Sequence, residues 1–216
     1  MSQPTYRSSP DLSLEQFAHL TAVLEKAKHR GFLGPGPVGS HIEHALPILT
    51  LLSVDSREAL DLGSGGGVPG LVLALARPAI HWTLLDGSVT RSSFLLHAVE
   101  DLDLSHRVKV TSLRAEDAAR TALRGTFDTV TSRSFGAPAV TAECGSPFLA
   151  PGGRLIVAEP PDGASSRWPL EGLERLGMAL GVRVTSPSTF QVLEQVVPCG
   201  NRYPRRTGIP AKRPLF

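Results

Sequence analysis

Asp61-Leu-Gly63-Ser-Gly65-Gly-Gly67-Val-Pro-Gly70 is the stretch whose reading decides the fold. Before it runs Glu58-Ala-Leu-Asp-Leu62, a short apolar segment bounded like a strand. After it comes Val68 to Ala76, apolar and long enough for a helix. A strand that breaks into glycines and resumes as a helix is a turn suited to lying directly on a ligand, because no β-carbon stands between the two. Gly65, Gly67 and Gly70 also satisfy G-x-G-x-x-G, the dinucleotide spacing, which alone is a weak signal.

Asp61 separates the readings. A dinucleotide site must accept a pyrophosphate at the helix N-terminus, and a carboxylate at the strand's end repels it. A methyl donor carrying an ammonium and a sulfonium has the opposite need, which Asp61 can meet. Asp-x-Gly-x-Gly-x-Gly at 61, 63, 65 and 67 therefore reads as an S-adenosylmethionine turn, with Ser64 inside it. A nicotinamide or flavin site and a purely structural turn are the alternatives. Asp86 lies 21 residues after Gly65, where it can accept hydrogen bonds from both ribose hydroxyls or else cap the next helix.

Outward from the turn, strands and helices alternate. Strands are predicted at Ile80–Leu85, Val108–Ser112, Phe127–Ser132 and Arg154–Ala158, with further candidates at Val182–Thr185 and Phe190–Val197. Helices are predicted at Arg91–Leu102, Ala137–Leu149 and Leu170–Leu180. Strands joined by helices pair in parallel through right-handed crossovers. The fold class is thus α/β, a doubly wound, mostly parallel, Rossmann-like sheet. Ahead of it, Ser13–His29 reads as an amphipathic helix with a Ser13/Gln16 capping box, and His41–Ser53 as a second helix after a Gly/Pro-rich break. The expected organisation is an N-terminal helical extension (1–53), a methyltransferase domain (54–197) and a C-terminal tail (198–216).

With 216 residues, 41% hydrophobic and 19% charged, the chain has the composition of one folded domain and is expected to be monomeric. No apolar run reaches the ~20 residues of a membrane span, and Met1–Leu12 has no signal-peptide pattern, so a cytoplasmic location is expected. Cys144 and Cys199 read as reduced structural residues. His41 and His44 share a helix face without further ligands, so no metal is expected. The net charge of +2 is unevenly placed. Residues 1–194 hold 17 basic and 20 acidic side chains, whereas the last 22 residues hold Arg202, Arg205, Arg206, Lys212 and Arg213 and no acid. That tail reads equally as a polyanion-binding segment or a solvated C-terminus; its four prolines favour an extended, phosphate-contacting segment, the alternative being a tail pinned to the body by Tyr203, Ile209, Leu215 and Phe216.

The segment after the fourth strand, Thr131-Ser-Arg133-Ser-Phe135, has no Asn/Asp-Pro-Pro-aromatic motif for an exocyclic amine and no Pro-Cys nucleophile. A ring nitrogen such as guanine N7 needs neither, since it carries a free lone pair and no proton, and alignment alone can drive transfer. No catalytic acid or base is assigned. Arg133 is the nearest candidate.

The turn with its Val-Pro-Gly70 ending resembles the small-subunit ribosomal RNA guanine-N7 methyltransferase G (GidB) family. So do Leu84-Leu-Asp86 with Arg91 and Phe94-Leu95, Arg114-Ala-Glu116-Asp, Ser132-Arg133, Pro151-Gly-Gly153, Gly31-Phe-Leu-Gly-Pro35, His41-Ile42 and Tyr203-Pro-Arg-Arg-Thr-Gly-Ile-Pro-Ala-Lys212. The resemblance implies methylation of guanine N7 in small-subunit rRNA, with rRNA or the small subunit as partner. It also implies cofactor contacts at Gly63, Val68, Ala115, Glu116 and Arg133. Two features depart from it. The family's Asn-Leu-Thr near the N-terminus is missing, and Ala158-Glu159-Pro-Pro161 stands where the family has Lys-Gly. Glu159 reverses a charge at the acceptor cleft and raises the alternatives of another acceptor, such as a small molecule, or a non-catalytic RNA-binding relative.

Overall fold

In the computed structural model, which describes residues 11–161 and 165–216, a seven-stranded sheet carries helices on both faces. The strands are β1 (Glu58–Leu62), β2 (His81–Leu85), β3 (Val108–Thr111), β4 (Phe127–Arg133), β5 (Leu149–Ala158), β6 (Met178–Val184) and β7 (Phe190–Gln195). Their order is β3-β2-β1-β4-β5-β7-β6. The first five pair in parallel, and β7 runs antiparallel to both neighbours.

Period-two alternation divides the core. Ala59, Trp82, Leu84, Val108, Ile156 and Val192 face one cluster. Leu60, Leu62, Leu85, Val130, Leu155 and Leu193 face the other. The first is covered by α1 (Leu14–His29), α2 (Val38–Ala45), α3 (Gly70–Ala76) and α4 (Val89–Asp101). The second is covered by α5 (Ala115–Ala118), α6 (Pro138–Gly145), α7 (Leu170–Glu174) and the buried Tyr203 of the tail. The capping box of α1 is present, with Ser13 Oγ accepting from the Gln16 amide and Gln16 Oε1 from the Ser13 amide.

Four segments differ from the sequence expectation. The second helix begins at Val38 and gives way to a 3-10 turn at Leu46–Thr50, where Pro47 lacks the amide an α-helix would use. The helix expected to reach Leu149 stops at Gly145 for the same reason, at Pro147. Leu170–Leu180 is helical only to Glu174. Gly177, at φ +74°, ends it, and Met178–Val184 is a strand whose exposed Leu180 and Val182 mark a sheet edge. The tail is not extended throughout: after a left-handed Gly208, Ile209–Lys212 forms one helical turn, α8.

Candidate functional site

The sheet's order reverses between β1 and β4, and ligands of such sheets lie over the carboxyl ends of the strands at that point. The glycine turn sits there. The Gly63 and Ser64 amides donate to Leu85 O at 2.8 and 3.0 Å, tying the end of β1 to the end of β2. Gly63 is left-handed, at φ +74°, and a β-carbon on it would lie 2.6 Å from the Phe135 ring. At Gly66 a β-carbon would meet Leu33 and Phe32 O at 2.8–2.9 Å, so the loop after α1 also rests on the turn.

Asp86 is buried, with its carboxylate against the turn. Oδ2 accepts from the Gly65 amide at 2.9 Å. Oδ1 accepts from the Ser88 amide at 2.8 Å and from Arg91 Nε at 3.1 Å. The helix cap itself is Ser88, so Asp86 is not the cap. An ionised carboxylate accepts about four bonds, and Oδ2 retains capacity for a hydroxyl. Asp86→Ala is expected to weaken S-adenosylhomocysteine binding by ~1.5–3 kcal/mol, read by calorimetry. An unchanged dissociation constant would confine Asp86 to shaping the turn.

Asp61 serves differently from the sequence reading. It is fully buried, and both oxygens are engaged, Oδ2 by the Gly70 amide at 3.1 Å and Oδ1 by Thr131 Oγ1 at 2.9 Å. Burial raises its pKa from 3.8 to about 6, against the lowering effect of its hydrogen bonds. A folded-state pKa above the unfolded value means stability present at low pH is lost as pH rises from about 4 through about 6. The loss is on the order of 3 kcal/mol. Asp61→Asn should remove that slope, and urea titrations at pH 4 and 7 that still differed as in the parent protein would disprove the assignment.

Val68 is buried beside the turn. Ala115 and Glu116 begin α5, and the preceding Arg114 packs on Gly87, next to Asp86. Arg133 ends β4, with Leu62 of β1 registered to its neighbour Ser132. Its Nη2 donates to His41 Nδ1 at 2.7 Å, while His41 Nε2 meets Gly34 O at 3.2 Å. His41 is therefore an orienting partner of Arg133, and burial followed by the Arg133 charge holds its pKa below the usual value. His44 faces Ser40 O instead. Arg133 Nη1 is buried without a partner. An acid at the end of β2 and a turn without β-carbons fit a ligand with a ribose and a cationic centre.

Glu159 follows β5 with its side chain 1% exposed. Oε1 accepts from Arg167 Nη1 and Trp168 Nε1, and Oε2 from Arg183 Nη1, all at 2.9 Å. It lines a cavity of about 380 Å³ with Ser132, Arg133, Phe135, Arg167 and Trp168. Arg167, Trp168 and Arg183 escaped the sequence reading, for no local pattern ties them to Glu159.

The tail lies apart from this cavity. Arg205, expected to contact phosphate, instead clamps the fully buried Glu143: Nε donates to Oε1 at 2.8 Å and Nη2 to Oε2 at 2.6 Å. The Gly208 amide donates to Glu116 Oε1 at 2.9 Å, and Arg120 and Arg124 donate to tail carbonyls. Arg202, Arg206, Lys212 and Arg213 are exposed. Cys144 and Cys199 have thiol pKa values pushed up, chiefly by burial, so neither supplies a thiolate.

Residues 18–167 match the model of the family described as rRNA small subunit methyltransferase G. The chain belongs to this family. Ribosomal RNA small subunit methyltransferase G of Parasynechococcus marenigrum is 35% identical over 74% of this chain and 68% of its own length. Its namesake in Deinococcus deserti is 33% identical over 94% and 89%. Among solved structures, cofactor-bound Rv0187 from MTB superposes with a TM-score of 0.57 at 16% identity, covering 85% of this chain and 90% of that one. The [4+2]-cyclase SpnF does so with 0.58 at 19%, covering 81% and 74%. These likenesses show the fold alone, since one fold hosts many chemistries. Membership in the methyltransferase G family makes the chain an S-adenosylmethionine-dependent enzyme of small-subunit rRNA methylation. Among the described residues no helix is long and apolar enough to cross a membrane.

Proposed function

We propose that the enzyme methylates guanine N7 of small-subunit (16S) rRNA in the cytoplasm. The cofactor lies over the carboxyl ends of β1 and β2 between Gly63, Gly65, Asp86, Ala115 and Glu116, with Arg133 at its edge. The acceptor base lies over β4 and β5. S-adenosylmethionine supplies a methyl group on a positively charged sulfur.

The observation that carries the reading is the polar complement of the acceptor cavity. Its one described carboxylate, Glu159, is held by two arginines and an indole N–H, so it is not placed to take a proton. Neither thiol lines the cavity, and burial pushes the pKa of both up. Such a site has little to offer an amine that must lose a proton or a carbon that needs covalent activation. A ring nitrogen with an in-plane lone pair requires only alignment. The acid at 159 also gives no ground for a different acceptor, because Arg167 and Arg183 pair with it and Arg133 lines the same cavity, which leaves the local charge positive.

The test incubates the protein with labelled methyl donor and, separately, naked rRNA, intact small subunits and a metabolite extract. Label in rRNA as 7-methylguanine is expected. Label confined to the extract, or to another atom of the rRNA, would defeat the proposal.

A further inference from the structure

Resting on that reading, we infer that Ser132 Oγ, with Arg133 Nη1, reads O6 of the acceptor guanine and makes Ser132 a base-specificity residue. Ser132 is 2% exposed at the carboxyl end of β4 and lines the 380 Å³ cavity. Its hydroxyl has no hydrogen-bond partner, and neither does Arg133 Nη1 on the next residue. Buried polar groups are nearly always satisfied, so two adjacent orphans beside one cavity mark where a ligand completes the bonding.

Glu159, Trp168 and Thr141, which also line the cavity, are committed. Glu159 accepts from Arg167, Arg183 and Trp168, and Thr141 Oγ1 donates to Gly136 O at 3.2 Å. The buried groups left without a partner in this lining are a guanidinium N–H, a donor only, and a hydroxyl that can also donate. A 6-oxo purine presents an acceptor to both. An adenine would set its 6-amino group against the guanidinium N–H, donor facing donor. Engaging O6 also leaves the adjacent N7 lone pair open toward the cofactor.

Phe135 supplies the wall. The chain turns back at Ser134, a left-handed non-glycine residue at φ 55°, and this places the Phe135 ring on Gly63 while it also lines the cavity. An aromatic ring between cofactor turn and acceptor cavity suits a purine stacked against it.

The experiment uses Ser132→Ala in the full-length protein. Because the hydroxyl has no partner, its removal should leave the melting temperature and the S-adenosylhomocysteine dissociation constant within twofold of the parent. Single-turnover methylation of small subunits should slow roughly tenfold, the scale of one hydrogen bond. The guanine that the parent enzyme labels is then replaced by adenine in a transcript-derived subunit. The parent should reject it, and Ser132→Ala should show a smaller guanine-to-adenine rate ratio. An unchanged rate and ratio would overturn the assignment. So would a cofactor affinity that falls as far as the rate, which would place Ser132 in the cofactor site. A parent enzyme that binds S-adenosylhomocysteine yet labels no guanine would instead overturn the substrate reading on which the inference rests.

Discussion

Arg205→Ala is expected to lower stability by roughly 3–5 kcal/mol, the cost of stripping the partner from a buried charge. Glu143 has no exposed surface, and both its oxygens are held by the Arg205 guanidinium. With alanine there, only the residue 205 amide remains to it. The effect should spread, because Arg205 also donates to Arg213 O and so closes the tail on itself. Urea denaturation measures it. Glu143→Met with Arg205→Met should recover much of the loss, since a buried pair replaced by apolar groups of similar volume is often nearly neutral. A single variant as stable as the parent would return Arg205 to the set of phosphate contacts.

This bears on how the enzyme holds RNA. Four tail cations remain exposed, Arg202, Arg206, Lys212 and Arg213. If all four neutralise phosphates of single-stranded RNA, log affinity should fall against log salt with a slope of about −2.8, not the −3.5 that five would give. The tail also reaches the cofactor side, through the Gly208 amide on Glu116 and Thr207 Oγ1 on Asp117. Truncation at Cys199 should therefore impair folding and cofactor binding as well as RNA affinity.

The sheet was legible because short strand-length segments alternate with helix-length ones along the chain, and the Asp61–Gly70 turn carries its ligand chemistry within ten residues. What was hidden depends on distance along the chain. Nothing near Arg205 announces Glu143, 62 residues away, and nothing near Glu159 announces Arg183, 24 residues away. Charge counting reads such arginines as free cations because it has no access to the acids they meet. Met178–Leu180, the end of the expected helix, was misread for a related reason, whereas Val182–Val184 is the expected strand. Leu173 and Leu176 are buried at helical spacing, but the left-handed Gly177 and pairing with β7 override the pattern for the residues that follow. Asp61 shows the same limit in its orientation. Sequence shows an acid beside glycines, but only the fold shows it pointing back at Gly70 and Thr131.

Glu159→Lys should be among the most damaging substitutions in the acceptor cleft, although lysine is what the family resemblance places at that position. The mutant would set a third cation against Arg167 and Arg183, all largely shielded from water, and leave Trp168 Nε1 without its acceptor. Removing one partner of a buried charge network costs roughly 3–5 kcal/mol, and adding like charge adds repulsion. The β5–α7 connection, which carries Arg167 and Trp168, should lose its attachment to β6, and methylation of small subunits should fall with it. Glu159→Gln separates charge from shape: it keeps an acceptor for one donor and should cost less. The decisive comparison is the triple variant Glu159→Lys, Arg167→Ala, Arg183→Ala. If Glu159 exists to neutralise and hold the two arginines, removing them should restore part of the stability lost by Glu159→Lys alone, a coupling of 0.5–3 kcal/mol in a mutant cycle. Strictly additive effects would show that the carboxylate and the arginines act independently, and that Glu159 meets the substrate in its own right.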